Sequence, residues 1–380
     1  MSEQQVGPSG TRTDRPERHP SWLELFFDLV FVVAVAALAR QLHDDHSLTG
    51  LAVFAGLFVP VWWAWRGFAW YATGFDTDDR TFRVALLAGM VGVAAVSAGV
   101  DGAAHGDSKT FVIANAGLLS VLAALYARTW WRFPAARPLA ARQGIGYSLG
   151  TVLWLASLLL EEGLRPIVWG VAMLLLIATP IVVLLAPQRA YDAAHIAERY
   201  GLFTIIVLGE SVVVTVSGLD TGGGVAAALV ALLGFMIAAT IWWVYFGRYR
   251  SLPEVDALAR FVWAQAHLLI FLGITAAAVG VAFAVEATAA DHALTLADRL
   301  PLGAGLAAYL IAMGMIRAAT RHLDWVAFMR VAVAGTILAV ALAGLSLAPL
   351  PFVAVIAALL VAEAAIEMTR SAPGHMRDDT

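Results

Sequence analysis

The sequence contains no cysteine and few charged residues. The absence of Cys from all 380 residues excludes disulfides, thiolate metal sites and cysteine nucleophiles. Charged residues make up only 14%, and the net charge of −4 comes with no basic stripe that could track phosphates, so nucleic acid is excluded as a partner. The sequence also lacks a glycine-rich phosphate loop, an HExxH motif and a nucleophile elbow, so we predict neither an enzyme nor a bound cofactor.

Apolar residues are abundant instead. They make up 61% of the chain, and the mean hydropathy is +0.79, which is too apolar for a soluble core. A hydrocarbon layer about 30 Å thick is crossed by about 20 apolar residues of helix, and the chain divides repeatedly into runs of that length. Barrel strands would instead alternate in polarity. The sequence therefore predicts an all-α, polytopic transmembrane helix bundle whose partner is the lipid bilayer.

The apolar runs predict twelve transmembrane helices. Turn residues separate the runs, as at Asp101-Gly102 and from Pro349 to Pro351. Polar residues predict disordered tails at 1–20 and 371–380, and the first helix would serve as an uncleaved signal. The predicted spans are 22–42, 50–71, 81–100, 109–131, 143–160, 165–186, 198–219, 224–246, 259–285, 300–317, 326–347 and 350–370.

The distribution of cations predicts the orientation of these helices. Lys and Arg normally stay on the cytoplasmic side of a membrane protein. With the N-terminus inside, only four of the 24 cations fall on the outer side, namely Arg40, Lys109, Arg165 and Arg299. We therefore predict a multi-pass protein of the bacterial cell membrane with both termini in the cytoplasm.

A faint internal repeat predicts that the bundle is duplicated. The pair Trp62-Trp63 of the second helix recurs as Trp242-Trp243 in the eighth helix, and the first and seventh helices both begin with a glutamate followed by phenylalanine. Duplication places binding sites at the interface of the halves. Because six is an even number of helices, the halves would be parallel. They would comprise residues 21–186 and 187–370.

Two acids stand near the start of the first helix. Glu24 and Asp28 are four residues apart, so they lie on one helix face. A charged side chain at the centre of a membrane helix costs about 2.5–3.5 kcal/mol, which by default marks a site or a buried partner. Arg66 lies at a similar predicted depth in the second helix. The alternatives are a structural Asp28–Arg66 ion pair and a site for a cation or proton.

The seventh helix carries a second group of polar residues. Glu210 stands about 18 Å beyond Glu198 along the helix, which predicts a position close to the membrane midplane. Gly209 and Ser211 flank it and would permit close backbone approach or a local break in the helix, as found where backbone lines a cavity. These residues predict an ion or substrate path. Helix packing through small residues is the alternative explanation.

Further polar residues on the ninth and twelfth helices extend this predicted path. His267, Glu363 and Glu367 are predicted at depths similar to the other acids. A hydrogen-bonded core histidine is the alternative for His267. The outer stretch His43–His46 has residue types that bind metals, but an exposed acidic turn accounts for it equally well, so we predict no metal site.

Two long motifs resemble the bacterial low temperature requirement A (LtrA) family. They are WLELFFDLVFVVAVAALA at 22–39 and HIAERYGLFTIIVLGESV at 195–212, and the similarity would cover about residues 18–370. The resemblance implies an integral membrane protein with a link to cold or stress tolerance. It implies no particular reaction. The positions that match the family's motifs are Glu24, Phe26, Phe27, Asp28, Glu198, Gly201, Gly209, Glu210 and Ser211.

Acids at membrane depth without catalytic partners favour a transporter or channel-like protein for a small ion or solute. The alternative is a membrane protein that does not transport, such as a stress sensor, scaffold or assembly factor. A membrane-embedded enzyme ranks third. The sequence identifies no substrate, and it leaves a homo-oligomer open.

Overall fold

A computed structural model describes seven stretches of the chain. They are residues 19–75, 79–184, 193–221, 224–248, 256–321, 323–343 and 347–370. The two predicted tails lie outside these residues, apart from His19 and Pro20.

The described residues form twelve α-helices, as the apolar runs predicted. The observed helices differ from the predicted spans by up to six residues at their first residue and up to four at their last. Three short 3₁₀ turns connect some of them. The helices are α1 (Trp22–Asp44), α2 (Leu48–Gly74), α3 (Arg80–Ala104), α4 (Lys109–Arg132), α5 (Arg137–Ser157), α6 (Arg165–Leu184), α7 (Ala193–Ser217), α8 (Gly224–Arg248), α9 (Ala257–Ala289), α10 (Leu296–Arg321), α11 (Trp325–Ala343) and α12 (Pro349–Arg370).

Eleven of the twelve described helices are long and apolar enough to cross a membrane. The exception is α5, whose first turns contain Arg137, Arg142 and Gln143. The helix bundle is thereby confirmed, whereas the twelve-span topology and the location of the termini stay predictions. We call the end of the bundle at which α1 begins the inner end, and the opposite end the outer end.

Side-chain caps fix where several helices begin. Ser21, Ser47, Asp79 and Asp256 each accept a hydrogen bond from the backbone N–H three residues later, at 3.3, 2.9, 3.0 and 2.7 Å. Such a cap contributes about 1 kcal/mol because it satisfies a backbone donor that the helix leaves open. The N–H of Phe82 and the nearby arginines of α4 lower the pKa of Asp79. The caps therefore fix the first residues of α1, α2, α3 and α9.

The longest helix, α9, lies at the centre of the bundle. It contacts α1, α2, α7, α8, α10 and α12. Gly273 and Gly280 allow its backbone to approach α10 closely, since any side chain at either position would collide with the backbone of α10. The helices α1, α2 and α7 pack together on one side of α9, so the acids of α1 face neighbouring helices and are buried.

The proposed duplication is only partly reflected in the helix contacts. The contacts α1–α3, α3–α4 and α4–α5 correspond to α7–α9, α9–α10 and α10–α11. However, α12 packs against α8, and α6 makes no comparably extensive contact with α2 among the described residues. The two parallel repeats, 21–186 and 187–370, therefore stay a prediction.

Candidate functional site

The two acids of α1 belong to a buried polar network that joins α1, α2 and α7. Asp28 and Arg199 are both fully buried. Nε of Arg199 donates to Asp28 at 3.2 Å, and a terminal nitrogen of the same guanidinium contacts the other carboxylate oxygen. Trp65 Nε1 also donates to Asp28, at 2.8 Å. We call this cluster the inner network, and its members are Glu24, Asp28, Trp65, Thr73, His195 and Arg199.

Glu24 lies one helical turn closer to the inner end. Its carboxylate is 3.1 Å from His195 Nε2 and 3.7 Å from a terminal nitrogen of Arg199. The other ring nitrogen of His195, Nδ1, is 2.9 Å from the hydroxyl of Thr73. Two acids of α1 therefore face two basic residues of α7, and α2 contacts one residue of each helix, Asp28 through Trp65 and His195 through Thr73.

The structure corrects the predicted partner of Asp28. Arg66 makes no ion pair with Asp28, and its guanidinium carbon lies 4.7 Å from the ring centroid of Trp63. Asp28 and Arg199 each stand six residues from the start of their helix, about 9 Å, so the depths of these two residues match. Arg66 faces Trp63 and Trp70 on its own helix, and depth along α2 does not determine direction around it. Trp65, about 100° away around the same helix, faces Asp28 instead.

Aromatic rings close the inner network toward the outer end. The ring of Trp65 stacks on Phe203 with centroids 4.4 Å apart. It packs edge to face with Tyr200 and Phe271, at centroid distances of 4.8 and 5.9 Å. All four rings are buried. We call these residues the aromatic layer. It separates Asp28 from the outer half of the bundle.

His267 is a hydrogen-bonded core histidine. Its Nδ1 lies 2.7 Å from the carbonyl oxygen of Trp263, which can only accept, so Nδ1 carries the proton. Nε2 lies 2.9 Å from the hydroxyl of Tyr245 and accepts from it. Both ring nitrogens are satisfied, so these contacts give His267 a packing role beside the aromatic layer.

Glu363 and Glu367 belong to a separate network on α10, α11 and α12. Arg330 donates to Glu363 at 3.2 Å, to Glu367 at 2.6 Å and to the carbonyl oxygen of Met313 at 3.1 Å. Nη1 of Arg317 also donates to Glu367, at 3.3 Å. The structure thus places Glu363 among the last three helices, and no described hydrogen bond or ion pair joins it to the inner network.

Arg317 connects that network to the loop before α11. It donates to both carboxylate oxygens of Asp324 at 2.5 to 2.9 Å. These hydrogen bonds lower the pKa of Asp324 to about 2. The α10–α12 network is therefore anchored to a carboxylate that stays ionised at all physiological pH values.

Glu210 lies on the flank of the bundle, outside the inner network. It is partly exposed, and among the described residues it makes no hydrogen bond or salt bridge, although Arg40 of α1 is near enough to interact electrostatically. The centre of α7 falls five residues earlier, so Glu210 stands nearer the outer end than predicted. A side chain on Gly209 would meet nothing within 4 Å, and the hydroxyl of Ser211 donates to the carbonyl of Leu208 in its own helix. The helix is continuous here, so the predicted break is wrong.

Comparison with known proteins places the chain in a family. The family model of the bacterial low temperature requirement A protein (LtrA) matches residues 19–365. The chain belongs to this family. An uncharacterized protein of Rhizobium meliloti (strain 1021) is 30% identical over 305 residues, which cover 71% of this chain and 73% of that protein. No solved structure is significantly similar. The resemblance read from the two motifs is thereby confirmed, and with it a polytopic membrane protein from a bacterial family.

The LtrA-family motif of α7 contains two network residues that the sequence analysis missed. The predicted span began at residue 198, whereas α7 begins at Ala193, which brings His195 into the helix and places Arg199 six residues from its start instead of one. Glu198, which the analysis singled out, instead points to the surface and pairs with His19 at 3.1 Å. The spacing of His195 and Arg199, four residues apart like the two acids of α1, was the available signal.

Two histidines fasten the outer end of the bundle. His43 Nε2 lies 2.8 Å from Glu286 of α9, and His46 Nδ1 lies 3.0 Å from Asp298 of α10. The ring of His46 also packs on Phe283 with centroids 3.9 Å apart. Among the described residues, no group of three His, Asp and Glu side chains is placed to hold a metal ion. The stretch His43–His46 therefore connects helices from the two predicted halves.

Proposed function

We propose that this protein is a transporter or channel-like protein of the bacterial cell membrane that moves a small ion or solute. The observation that carries the proposal is the fully buried contact between two acids of α1 and two basic residues of α7. A buried ion pair is weak evidence for stability, because desolvation offsets much of the attraction. Ionisable residues inside membrane proteins instead commonly mark ion and substrate paths.

The arrangement supports an inner gate in a closed conformation. Asp28 and Glu24 are held by Arg199 and His195, and the aromatic layer covers Asp28 on the outer side. A cation or proton that binds the two carboxylates would compete with the basic residues of α7. Such competition would loosen the contact between α1 and α7 and open the path. The link to cold or stress tolerance rests only on the family's description.

The second candidate function is a non-transporting membrane protein, such as a stress sensor, scaffold or assembly factor. The complete burial of Asp28 among three donors favours it, because a closed and satisfied interface needs no moving ion. In that case the inner network would serve only to fix the register of α1 against α7.

Flux measurements on the full chain in proteoliposomes distinguish the two functions. The probes are H⁺, Na⁺ and K⁺ gradients read by ion-sensitive dyes inside the vesicles. The decisive variant is the double change Asp28→Asn with Arg199→Gln, because removing one charge of each sign leaves the net charge of the inner network unchanged, and Glu24 keeps its contact with His195 at 3.1 Å. The control is Asp101→Asn, which neutralises a carboxylate that is 85% exposed at the outer end of α3.

We expect the wild-type protein and the control to conduct one of these ions and the folded double variant to lose that flux. Flux that persists in the double variant would remove the inner network from the mechanism. A folded wild-type protein with no flux of any of the three ions would overturn ion transport and favour the second function.

A further inference from the structure

We propose that a groove between α4 and α5 at the inner end binds an anionic phospholipid. The groove has a volume of about 360 Å³. Small residues and two tryptophans dominate its walls, including Ala123, Ala127, Trp130, Trp131, Ala141 and Gly144. This site is separate from the inner network, and the proposal does not depend on transport.

The walls of the groove suit a lipid acyl chain. Small side chains at Ala127, Ala141 and Gly144 leave space between two helices that otherwise pack together. In a bilayer such apolar space is filled by hydrocarbon, since no water is available there. Trp131 is 73% exposed, and tryptophans concentrate at the level of the lipid headgroups. The groove therefore opens where a headgroup and the start of its acyl chains lie.

An arginine is held at the mouth of the groove. Nε of Arg137 donates to the carbonyl oxygen of Trp130 at 3.1 Å, and its guanidinium carbon lies 5.2 Å from the centroid of the Trp130 ring. Its two terminal nitrogens bind no other described residue. A guanidinium fixed in this way presents several N–H donors to a phosphate. Arg137 is also the first residue of α5, where the helix dipole favours an anion.

A second cation lies five residues, or about 7.5 Å, further along α5. Arg142 is exposed and makes no ion pair with any described residue, and it precedes Ile145 of the groove wall by three positions. Asp79 is engaged by Arg128 and Arg132 of α4. Positive charge at the mouth thus exceeds negative charge, which is the complement of an anionic headgroup.

The combination selects one class of ligand. A free phosphate would use the arginines but leave the apolar walls uncovered. A zwitterionic lipid would fill the groove, but its ammonium group would oppose the two arginines. An anionic phospholipid such as phosphatidylglycerol satisfies both parts. Each arginine near the headgroups contributes about 1 kcal/mol, which corresponds to about fivefold in affinity.

Native mass spectrometry of the detergent-purified full chain tests the proposal. The protein is titrated with phosphatidylglycerol, with phosphatidylcholine of the same acyl chains and with glycerol phosphate. The variants are Arg137→Gln with Arg142→Gln, which neutralises the mouth, and Ala141→Leu, which fills the groove. Lys109→Gln, at the opposite end of α4, is the matched control for loss of one exposed cation.

We expect the wild-type protein to retain phosphatidylglycerol at least fivefold more tightly than phosphatidylcholine and not to retain glycerol phosphate. Both test variants should lose this preference, and Lys109→Gln should keep it. Equal retention of the two lipids by the wild-type protein would overturn the proposal even if a variant failed to fold. Binding of glycerol phosphate alone would show a phosphate site without a lipid and would overturn it as well.

Discussion

Neutralising Asp28 tests the inner network most directly. In the variant Asp28→Asn, the guanidinium of Arg199 stays fully buried but loses its closest anionic partner and keeps only the carboxylate of Glu24 at 3.7 Å, and Trp65 loses a charged acceptor. Removing one member of a buried ion pair costs about 3–5 kcal/mol, mostly because an uncompensated charge is left behind. We therefore expect a loss of that size in the free energy of unfolding.

A double-mutant cycle separates the pair from its surroundings. Arg199→Gln alone should also destabilise, because it leaves two acids of α1 without their shared cation. The double variant Asp28→Asn with Arg199→Gln should be less destabilised than the sum of the single variants, with an interaction energy of about 2–3 kcal/mol. Reversible unfolding in mixed micelles, followed by circular dichroism as the denaturing detergent is titrated, measures each free energy.

Arg66 provides the matched control. It is a buried arginine on a helix adjacent to Asp28, yet it contacts tryptophan rings instead of the carboxylate. The cycle of Asp28→Asn with Arg66→Gln should give an interaction energy below about 0.5 kcal/mol. The reasoning fails if Asp28 couples to Arg66 by more than it couples to Arg199.

Three further predictions concern residues outside the inner network. The pKa of Asp324 is lowered from 3.8 to about 2, chiefly by hydrogen bonds from Arg317, so the contribution of the ionised carboxylate to stability is complete above about pH 4 and is lost as the pH falls toward 2. The free energy of unfolding, measured as a function of pH, should fall over this range, and the variant Asp324→Asn should lack that fall. Glu210→Gln should change the free energy of unfolding by less than about 0.5 kcal/mol, because no described hydrogen bond is lost; a larger loss would reveal a partner. Asp298→Asn should destabilise by about 1 kcal/mol in thermal unfolding, because the carboxylate accepts hydrogen bonds from the backbone N–H and the hydroxyl of Thr295, the residue before α10, and His46→Gln should cost less, since the His46–Asp298 pair is partly exposed.

The sequence predicted the fold better than it predicted the site. Apolar runs separated by turn residues located all twelve helices, eleven of which are apolar enough to satisfy their backbones within a membrane. These runs could not show which faces of those helices meet. Asp28 was correctly identified as buried and paired, but the partner was wrong, because depth along α2 says nothing about direction around it. An error of five residues at the start of α7 left His195 outside the predicted helix and placed Arg199 at its very beginning, where no buried role was expected.

The positions of the other acids show the same limit. Glu210 was the deepest carboxylate in the first two thirds of the sequence, yet it faces the flank of the bundle near Arg40. Glu363 was expected on a shared path, but its partner Arg330 comes from α11, a helix with no predicted role in the site. Which helices contact each other depends on the packing of the whole chain, and α9 determines much of it by contacting six other helices.

The ion pairs at the two ends of the bundle differ in the free energy that their separation costs, and this difference would determine which end opens more easily if the predicted halves move. At the outer end, His43 and Glu286 are 36% and 28% exposed, and exposed pairs of this kind contribute only about 0–1 kcal/mol. At the inner end, Asp28 and Arg199 are fully buried, and separating them without a replacement ligand costs several kcal/mol. If the halves move as units, the outer end therefore opens at lower cost. Opening the inner end requires a cation or proton that compensates the acids of α1, and in a transporter this requirement would couple release on the inner side to the bound ion.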